Sequence, residues 1–275
     1  MVELQERFHT LLQLLQVRAP LAIACSGGLD SRFLCHAAYL ADVDFLAIHV
    51  QGPHIPQRES RYALRYFAEN NIPFVSLTLN PLTIPSVARN TPRRCYFCKK
   101  YLFQGIKALL SKKQQGHRLL CDGTNLDDLQ EYRPGLAALN EEAVFSPLAS
   151  SQLDKESLRS LARATHLSDD DQKASPCLLT RFAYNETITQ TELMTIDRCE
   201  EALLNKLEQH GLKPQFRLRM TPSPLLQISP FPEEIRPVLH DILLQHKLWP
   251  CRLLISERVS GFFDRQEKTE NLPLL

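Results

Sequence analysis

Residues Leu21–Ser31 read LAIACSGGLDS, an apolar β-type run that ends in a Ser-Gly-Gly turn and passes through Asp30 and Ser31 into a helical pattern over Arg32 to Leu40. Strand, turn and helix in that order read as a pyrophosphate-binding loop. Glycines at 27 and 28 let the backbone come close to a ligand, and the unpaired N–H groups of a helix start face an anion. Ser26 and Ser31 add hydroxyl donors. Asp30 repels phosphate, so its use is either to hold Mg2+ against the phosphates or to cap the helix. The loop lacks the lysine of G-x-x-x-x-G-K-[ST] and the glycine spacing of G-x-G-x-x-G, which sets kinases and dehydrogenases aside.

Outward from this loop the chain alternates strands and helices. Leu4, Phe8, Leu11, Leu12 and Leu15 recur at helical spacing ahead of the first strand. Behind the loop helix, residues 43–50 (VDFLAIHV) read as a buried strand, 56–71 as a helix, 73–79 (PFVSLTL) as a strand, 96–113 as a helix and 117–122 as a strand. Such alternation predicts an α/β fold, a doubly wound parallel sheet covered on both faces. Ligands of such sheets sit at the carboxyl ends of the strands, where residues 25–31, His49 and residues 122–125 fall.

Beyond Asp154–His166, another helical spacing, the segment 168–175 turns polar and irregular. A long helix over 190–211, β-type runs at 215–220, 225–229 and 252–256, and a helix near 233–247 predict a smaller α+β domain. The expected division is 1–185, 186–265 and a flexible tail 266–275.

Composition narrows the class. Lys and Arg number 32 against 31 Asp and Glu, a net charge of +1 over 275 residues, which gives no electrostatic case for a general nucleic-acid surface. No window approaches the roughly 18 to 20 apolar residues of a membrane span. The N-terminus, MVELQERF, is acidic where a secretory signal starts basic, so a soluble cytoplasmic protein is expected. Eight cysteines in that setting read as thiols, ligands or catalytic groups rather than disulfides.

Three segments carry chemistry. Residues 94–99 (RCYFCK) space Cys95 and Cys98 as C-x-x-C at a helix start, with Arg93, Arg94, Lys99 and Lys100 adding positive charge beside them. Two such thiols hold part of a metal or iron–sulfur site, form a redox dithiol, or pack in the core. Zinc is the weaker reading, because no second C-x-x-C or paired histidine completes four ligands. Cys177 lies in SPCLLTRF (175–182), an irregular segment suited to a nucleophile, with Arg181 near enough in sequence to steady a thiolate or an anionic substrate. Asp122-Gly123-Thr124-Asn125-Leu126-Asp127-Asp128 follows a strand and offers groups for ribose hydroxyls or hydrated Mg2+, or else a turn with a helix cap.

S-G-G-x-D-S resembles the ATP-pyrophosphatase (PP-loop) superfamily. SGGLDS, NTPRRCYFCKKYLF, DGTNLDDLQEYRPGL, SPL and SPCLLTRF, in this order and spacing over about residues 15 to 190, resemble the ATP-dependent sacrificial sulfur transferases of the LarE family. The resemblance implies a cytoplasmic enzyme of nickel-pincer nucleotide cofactor biosynthesis. Its substrate is pyridinium-3,5-biscarboxylate mononucleotide, whose carboxylate is adenylated with ATP and Mg2+, releasing pyrophosphate, and converted to a thiocarboxylate. It assigns ATP to Ser26, Gly27, Gly28, Asp30, Ser31, Gly123, Thr124 and Asn125, and catalysis to Cys177 and Asp30. Substrate contacts fall to Arg133, Arg181, Arg217, Arg219 and Glu201. Cys177 matches the cysteine that attacks the acyl-adenylate and, in some members, surrenders its sulfur. In others, the matches of Cys95, Cys98 and Cys177 hold a [4Fe–4S] cluster, the route favoured here. Members assemble as homo-oligomers, hexamers among them, and nothing in the sequence names the sulfide donor.

The C-terminal part departs from the family. It gives FRLRMTPSPLLQIS and ISERVSGFFDR where an Arg-x-Arg strand, a His-Gly turn and a Gly-Tyr-Arg segment are expected. Arg217 and Arg219 match the arginine pair, alternate residues on one strand face. The glutamate of the preceding helix falls on Glu200 or Glu201. A tRNA thiolase shares a PP-loop, a C-x-x-C and a third cysteine, but near-neutral charge speaks against it. A superfamily ligase would lack the DGTN and SPC segments, and a nucleotide sensor or iron–sulfur carrier would bind ATP without releasing pyrophosphate.

Overall fold

Four short runs, β1 (Leu21–Ala24), β2 (Phe45–Gln51), β3 (Phe74–Thr78) and β4 (Leu119–Asp122), pair in parallel in the order β3-β2-β1-β4. They belong to a computed structural model that describes residues 2–130, 134–172, 175–220, 223–264 and 273–275. The chain divides into two units, Met1–Val87 with Arg93–Pro176, and Ala88–Pro92 with Cys177–Leu275.

In the first unit the apolar runs are buried because helices cover both sides of the sheet. The helices are α1 (Val2–Arg18), α2 (Leu29–Leu40), α3 (Gln57–Glu69), α4 (Pro85–Ala88), α5 (Arg94–Lys112), α6 (Leu126–Gln130), α7 (Gly135–Glu141), α8 (Pro147–Ser150) and α9 (Lys155–Ala164). Leu21, Ile23, Phe45, Ala47 and Cys121 point to a core shared with Leu11 and Leu15 of α1, Phe33 and Leu34 of α2, Phe67 of α3 and Leu158 of α9. The alternate residues Ala22, Ile48 and Leu120 meet Phe103, Ile106 and Leu110 of α5 and Leu139 of α7 on the other side. Period-two alternation along the strands therefore feeds two cores, as a doubly wound sheet requires.

The connection reverses where β1 lies between β2 and β4, so the sheet has its topological switch point between β1 and β4. Ala24 is in register with Asp122, which sets the loops after β1 and β4 side by side. β3 lies at one edge of the sheet, and it leaves Phe74, Ser76 and Thr78 exposed. Asp154 caps α9 by accepting from the Ser157 backbone N–H at 2.8 Å.

The second unit is α10 (Gln190–Gln209), β5 (Phe216–Met220), β6 (Pro224–Ile228), α11 (Arg236–Gln245) and β7 (Arg252–Ile255). Its sheet runs β5-β6-β7, antiparallel then parallel, so the unit is α+β. A capping box between Thr189 and Glu192 starts α10. The predicted helix at 233–247 begins as a 3-10 turn, Glu233–Ile235, because Pro237 suits only the first turn of α11. Residues 88–92 join this unit through Asn90, whose Nδ2 donates to the carbonyls of Phe182 (3.1 Å) and Ala183 (2.7 Å). Of the segment expected as a tail, 266–272 lie outside the described residues. Residues 273–275 pair with β7, with Leu253 N–H donating to Pro273 O and Leu275 N–H to Cys251 O. No described helix is long and apolar enough to cross a membrane.

Candidate active site

The turn after β1 is held open toward a ligand. Gly27 has φ +90°, and a Cβ there would lie 2.7 Å from Ala63 Cβ of α3, so only glycine fits both the dihedral and the gap. Gly28 is the N-cap of α2 and no side chain caps it. The first-turn N–H groups and the positive end of the helix dipole are thus presented to an anion. The exposed Ser26 Oγ lies 3.3 Å from Ser31 Oγ, which donates to Gly28 O at 3.0 Å.

Across the switch point, Asn125 Nδ2 donates to Asp30 Oδ2 at 3.0 Å. Burial raises the Asp30 pKa, against the hydrogen bond from Asn125 that lowers it. A cation bound there would reverse that balance. Asn125, fully buried, also brackets Asp128: its Oδ1 accepts from the Asp128 N–H at 3.1 Å. Lys155 Nζ is 3.4 Å from Asp128 Oδ1. Asp122 accepts from Thr124 Oγ1 (2.6 Å) and Ser146 Oγ (2.7 Å), with Lys99 Nζ at 4.0 Å. Gly123 lies against α2, where a Cβ would come within 2.9 Å of Ser31 N. His49 Nδ1 donates to Cys25 O at 2.9 Å, and burial lowers its pKa, keeping the imidazole neutral.

All eight cysteines are thiols, and they fall into two groups. Cys25, Cys35, Cys121, Cys199 and Cys251 are buried, whereas Cys95 is exposed and Cys98 and Cys177 are half-buried. Cys95 and Cys98 stand one turn apart in the first turns of α5, which Tyr96 and Lys100 tie to Glu141 of α7 at 2.8 and 2.6 Å. Among the described residues, no three His, Cys, Asp or Glu side chains are gathered as a metal-holding group. Thiolates are the donors an iron–sulfur centre takes, and the three cysteines of these two segments are those not buried.

In the second unit Cys177 starts a 3-10 turn, and its carbonyl accepts from Thr180 Oγ1 at 2.8 Å and from Arg181 Nη1 at 3.4 Å. Arg181 is 2 % exposed and forms a fork with Glu200, Nε to Oε1 at 2.9 Å and Nη2 to Oε2 at 2.8 Å. Glu200 Oε1 also accepts from Leu218 N–H at 2.9 Å, while Glu201 is half-buried one residue on. Arg219 is buried and donates to Gln227 Oε1, Thr180 O and Val259 O. Arg217 is half-buried and donates to Phe216 O at 2.6 Å. Arg133 lies outside the described residues.

With this geometry set, the relatives are informative. Over 223 residues the chain is 33% identical to an uncharacterized protein of Synechocystis sp., covering 81% of this chain and 80% of that one. Over 184 residues it is 33% identical to an uncharacterized protein of Methanocaldococcus jannaschii, covering 66% and 69%. The chain belongs to the family of these two proteins. A more distant relative, 26% identical over 205 residues and 74% of each chain, is the pyridinium-3,5-bisthiocarboxylic acid mononucleotide synthase of Lactiplantibacillus plantarum. No family model matches the chain.

Asp128 of the DGTNLDDL segment and Ser146 of SPL complete the loop network together with Lys155, which sequence reasoning did not single out and whose signal is only its place at the start of α9. Arg32 is fully buried behind the loop. A lone arginine opening the apolar run RFLCHAAYL was the clue to it.

Proposed function

We propose that the protein is an ATP-dependent sulfur transferase that adenylates a carboxylate of pyridinium-3,5-biscarboxylate mononucleotide and converts it to a thiocarboxylate for nickel-pincer cofactor biosynthesis. The observation that carries the reading is the Asp30–Asn125 contact beside the uncapped start of α2, with the named synthase among the relatives. Ser26, Gly27, Gly28 and Ser31 take the phosphates, Gly123, Thr124 and Asn125 the ribose side, and Asp30 the Mg2+. The substrate carboxylate attacks the α-phosphorus of ATP, forming the acyl-adenylate and releasing pyrophosphate. Arg217, Arg219, Arg133 and Glu201 belong to substrate binding, with Arg181 and Glu200 shaping the turn that bears Cys177.

Two routes deliver sulfur. In the sacrificial route the Cys177 thiolate attacks the acyl-adenylate, expelling AMP and forming a thioester. Loss of the Cys177 Cα proton then breaks the Cβ–S bond, leaving a thiocarboxylate and dehydroalanine. In the other, Cys95, Cys98 and Cys177 would hold a [4Fe–4S] cluster, which would supply a binding place for exogenous sulfide and so allow repeated turnover. Three thiolates at one iron–sulfur centre would account for the C-x-x-C without the missing zinc ligands, which favours the second route. The protein acts in the cytoplasm as a homo-oligomer.

The test is anaerobic purification with iron and acid-labile sulfide analysis of wild type, Cys95→Ala, Cys98→Ala and Cys177→Ala, alongside pyrophosphate release from MgATP and the mononucleotide. About four irons per chain, lost in each variant, support the cluster route. No iron, with a chain lighter by one sulfur after turnover, assigns the sacrificial route. Absence of substrate-dependent pyrophosphate release overturns the reading.

A further inference from the structure

Arg32 is the largest side chain of the first unit with no exposed surface, and it sits directly behind the phosphate loop. Its Nε donates to Gly27 O at 3.1 Å. Its Nη1 donates to Ser168 O at 2.7 Å, and its Nη2 to Asp169 O at 2.9 Å and to Gln172 Oε1 at 3.0 Å. The rings of Tyr66 and Tyr62 lie 5.0 and 5.4 Å from its Cζ. Every one of these acceptors is neutral. Among the described residues no carboxylate forms an ion pair with it, and the carboxylate of Asp169 is engaged by Tyr62 OH at 2.6 Å.

A guanidinium so placed is satisfied in hydrogen bonds and uncompensated in charge. Burial of an unpaired charge is strongly unfavourable. Its position in the first turn of α2 adds to this, because the dipole there disfavours a cation. An anion in the loop adds a favourable attraction that offsets both.

The bond to Gly27 O also fixes a peptide plane. In a trans peptide the carbonyl of one residue and the N–H of the next point in opposite directions. With Gly27 O drawn inward to Arg32, the Gly28 N–H is turned away from it, and it now donates to Ser26 Oγ across 3.3 Å. That bond is long for N–H···O and is readily exchanged for a phosphate oxygen.

We propose that Arg32 is the positioning residue of the polyphosphate site: it aims the Gly28 N–H at the ligand, supplies a buried positive charge behind the phosphates in place of the missing loop lysine, and ties the loop to residues 168–172. Those residues end five positions before Cys177 in the chain. The occupancy of the loop is thereby felt at residues 168–172. The inference rests on the nucleotide reading above.

The experiment titrates MgATP into wild type, Arg32→Gln and Arg32→Lys, measures KM for ATP and kcat for pyrophosphate release, and records the melting temperature of each ligand-free sample. Arg32→Gln is expected to weaken ATP binding about tenfold or more, and Arg32→Lys, which keeps the charge and loses the fork, by several-fold less. A purely structural role would lower the melting temperature of both variants while leaving the affinity of the folded fraction alone. Amide exchange on wild type adds a readout that needs no variant: MgATP should slow exchange across 166–172. Wild-type affinity in Arg32→Gln, or unchanged exchange in 166–172 on ATP binding, overturns the inference alone. A wild type that does not bind MgATP overturns the nucleotide reading and the inference with it.

Discussion

Asn125 Nδ2 and Asp30 Oδ2, 95 residues apart in the chain, meet at 3.0 Å across the switch point between β1 and β4. The contact steadies a carboxylate whose pKa burial raises. For a group whose folded pKa lies above its unfolded one, the stability contribution is present at low pH and is lost as pH rises through the folded pKa. Ionised Asp30 therefore weighs against the ligand-free fold at neutral pH. Asp30→Asn should raise the melting temperature of the ligand-free protein near pH 7, with the gain vanishing below pH 4, and should abolish Mg2+-dependent pyrophosphate release. A calorimetric scan across pH, paired with a pyrophosphate assay, checks both. Retained release would remove Asp30 from the metal site.

Gly27→Ala meets two obstacles, a φ of +90° and a Cβ 2.7 Å from Ala63 Cβ. Together these should cost about 1 to 3 kcal/mol. Ala63→Gly removes the clash but not the strain, so the double variant should recover part of the loss and no more. Urea titrations of the two single variants and the double variant measure the coupling. Full recovery would mean that the backbone at position 27 is not strained by a side chain.

What could be read from the sequence divides by the range of the interactions involved. The run LAIA is apolar at every position because helices cover both sheet faces, so β1, its loop and the parallel sheet follow from local pattern. Cap residues such as Asp154 and Thr189 likewise fix the starts of α9 and α10. By contrast α6, α7 and α8 have five, seven and four residues, too few for a period to emerge. Glu200 and Glu201 are neighbours in sequence and about 100° apart around a helix, so only the phase of α10 decides which one reaches Arg181. Three of the acceptors of Arg32, on Ser168, Asp169 and Gln172, lie 136 to 140 residues away, beyond any local pattern.

His54 is 3 % exposed, and burial pushes its pKa from 6.5 down to about 4. Here the sign is opposite to that of Asp30. A buried neutral histidine binds fewer protons folded than unfolded, so stability falls as pH drops from about 6.5 toward 4. If the whole shift acts on folding, this single group accounts for on the order of 3 kcal/mol. His54→Gln should flatten that acid limb and leave stability above pH 7 with little pH dependence from this site. Denaturant unfolding at several pH values measures the slope, and an unchanged limb in the variant would assign the acid sensitivity elsewhere.

Arg181 and Glu200 set a harder test, because the pair is buried and shares its acceptor with the backbone of β5. Removing one partner leaves the other charge stranded, which typically costs 3 to 5 kcal/mol. Glu200→Ala strands Arg181 and also deprives Leu218 N–H of its acceptor, whereas Arg181→Ala leaves Glu200 with that N–H still bound. Glu200→Ala should therefore be the more destabilising of the two, by roughly the 1 kcal/mol of a lost hydrogen bond. Glu200→Gln keeps the acceptor and one arm of the fork and should fall between wild type and Glu200→Ala. Because Arg181 Nη1 also reaches the Cys177 carbonyl at 3.4 Å, Arg181→Ala is expected to loosen the turn that presents that thiol. Thiol-modification rates at Cys177, compared between wild type and Arg181→Ala under conditions where both are folded, resolve this. Equal rates would limit Arg181 to stability.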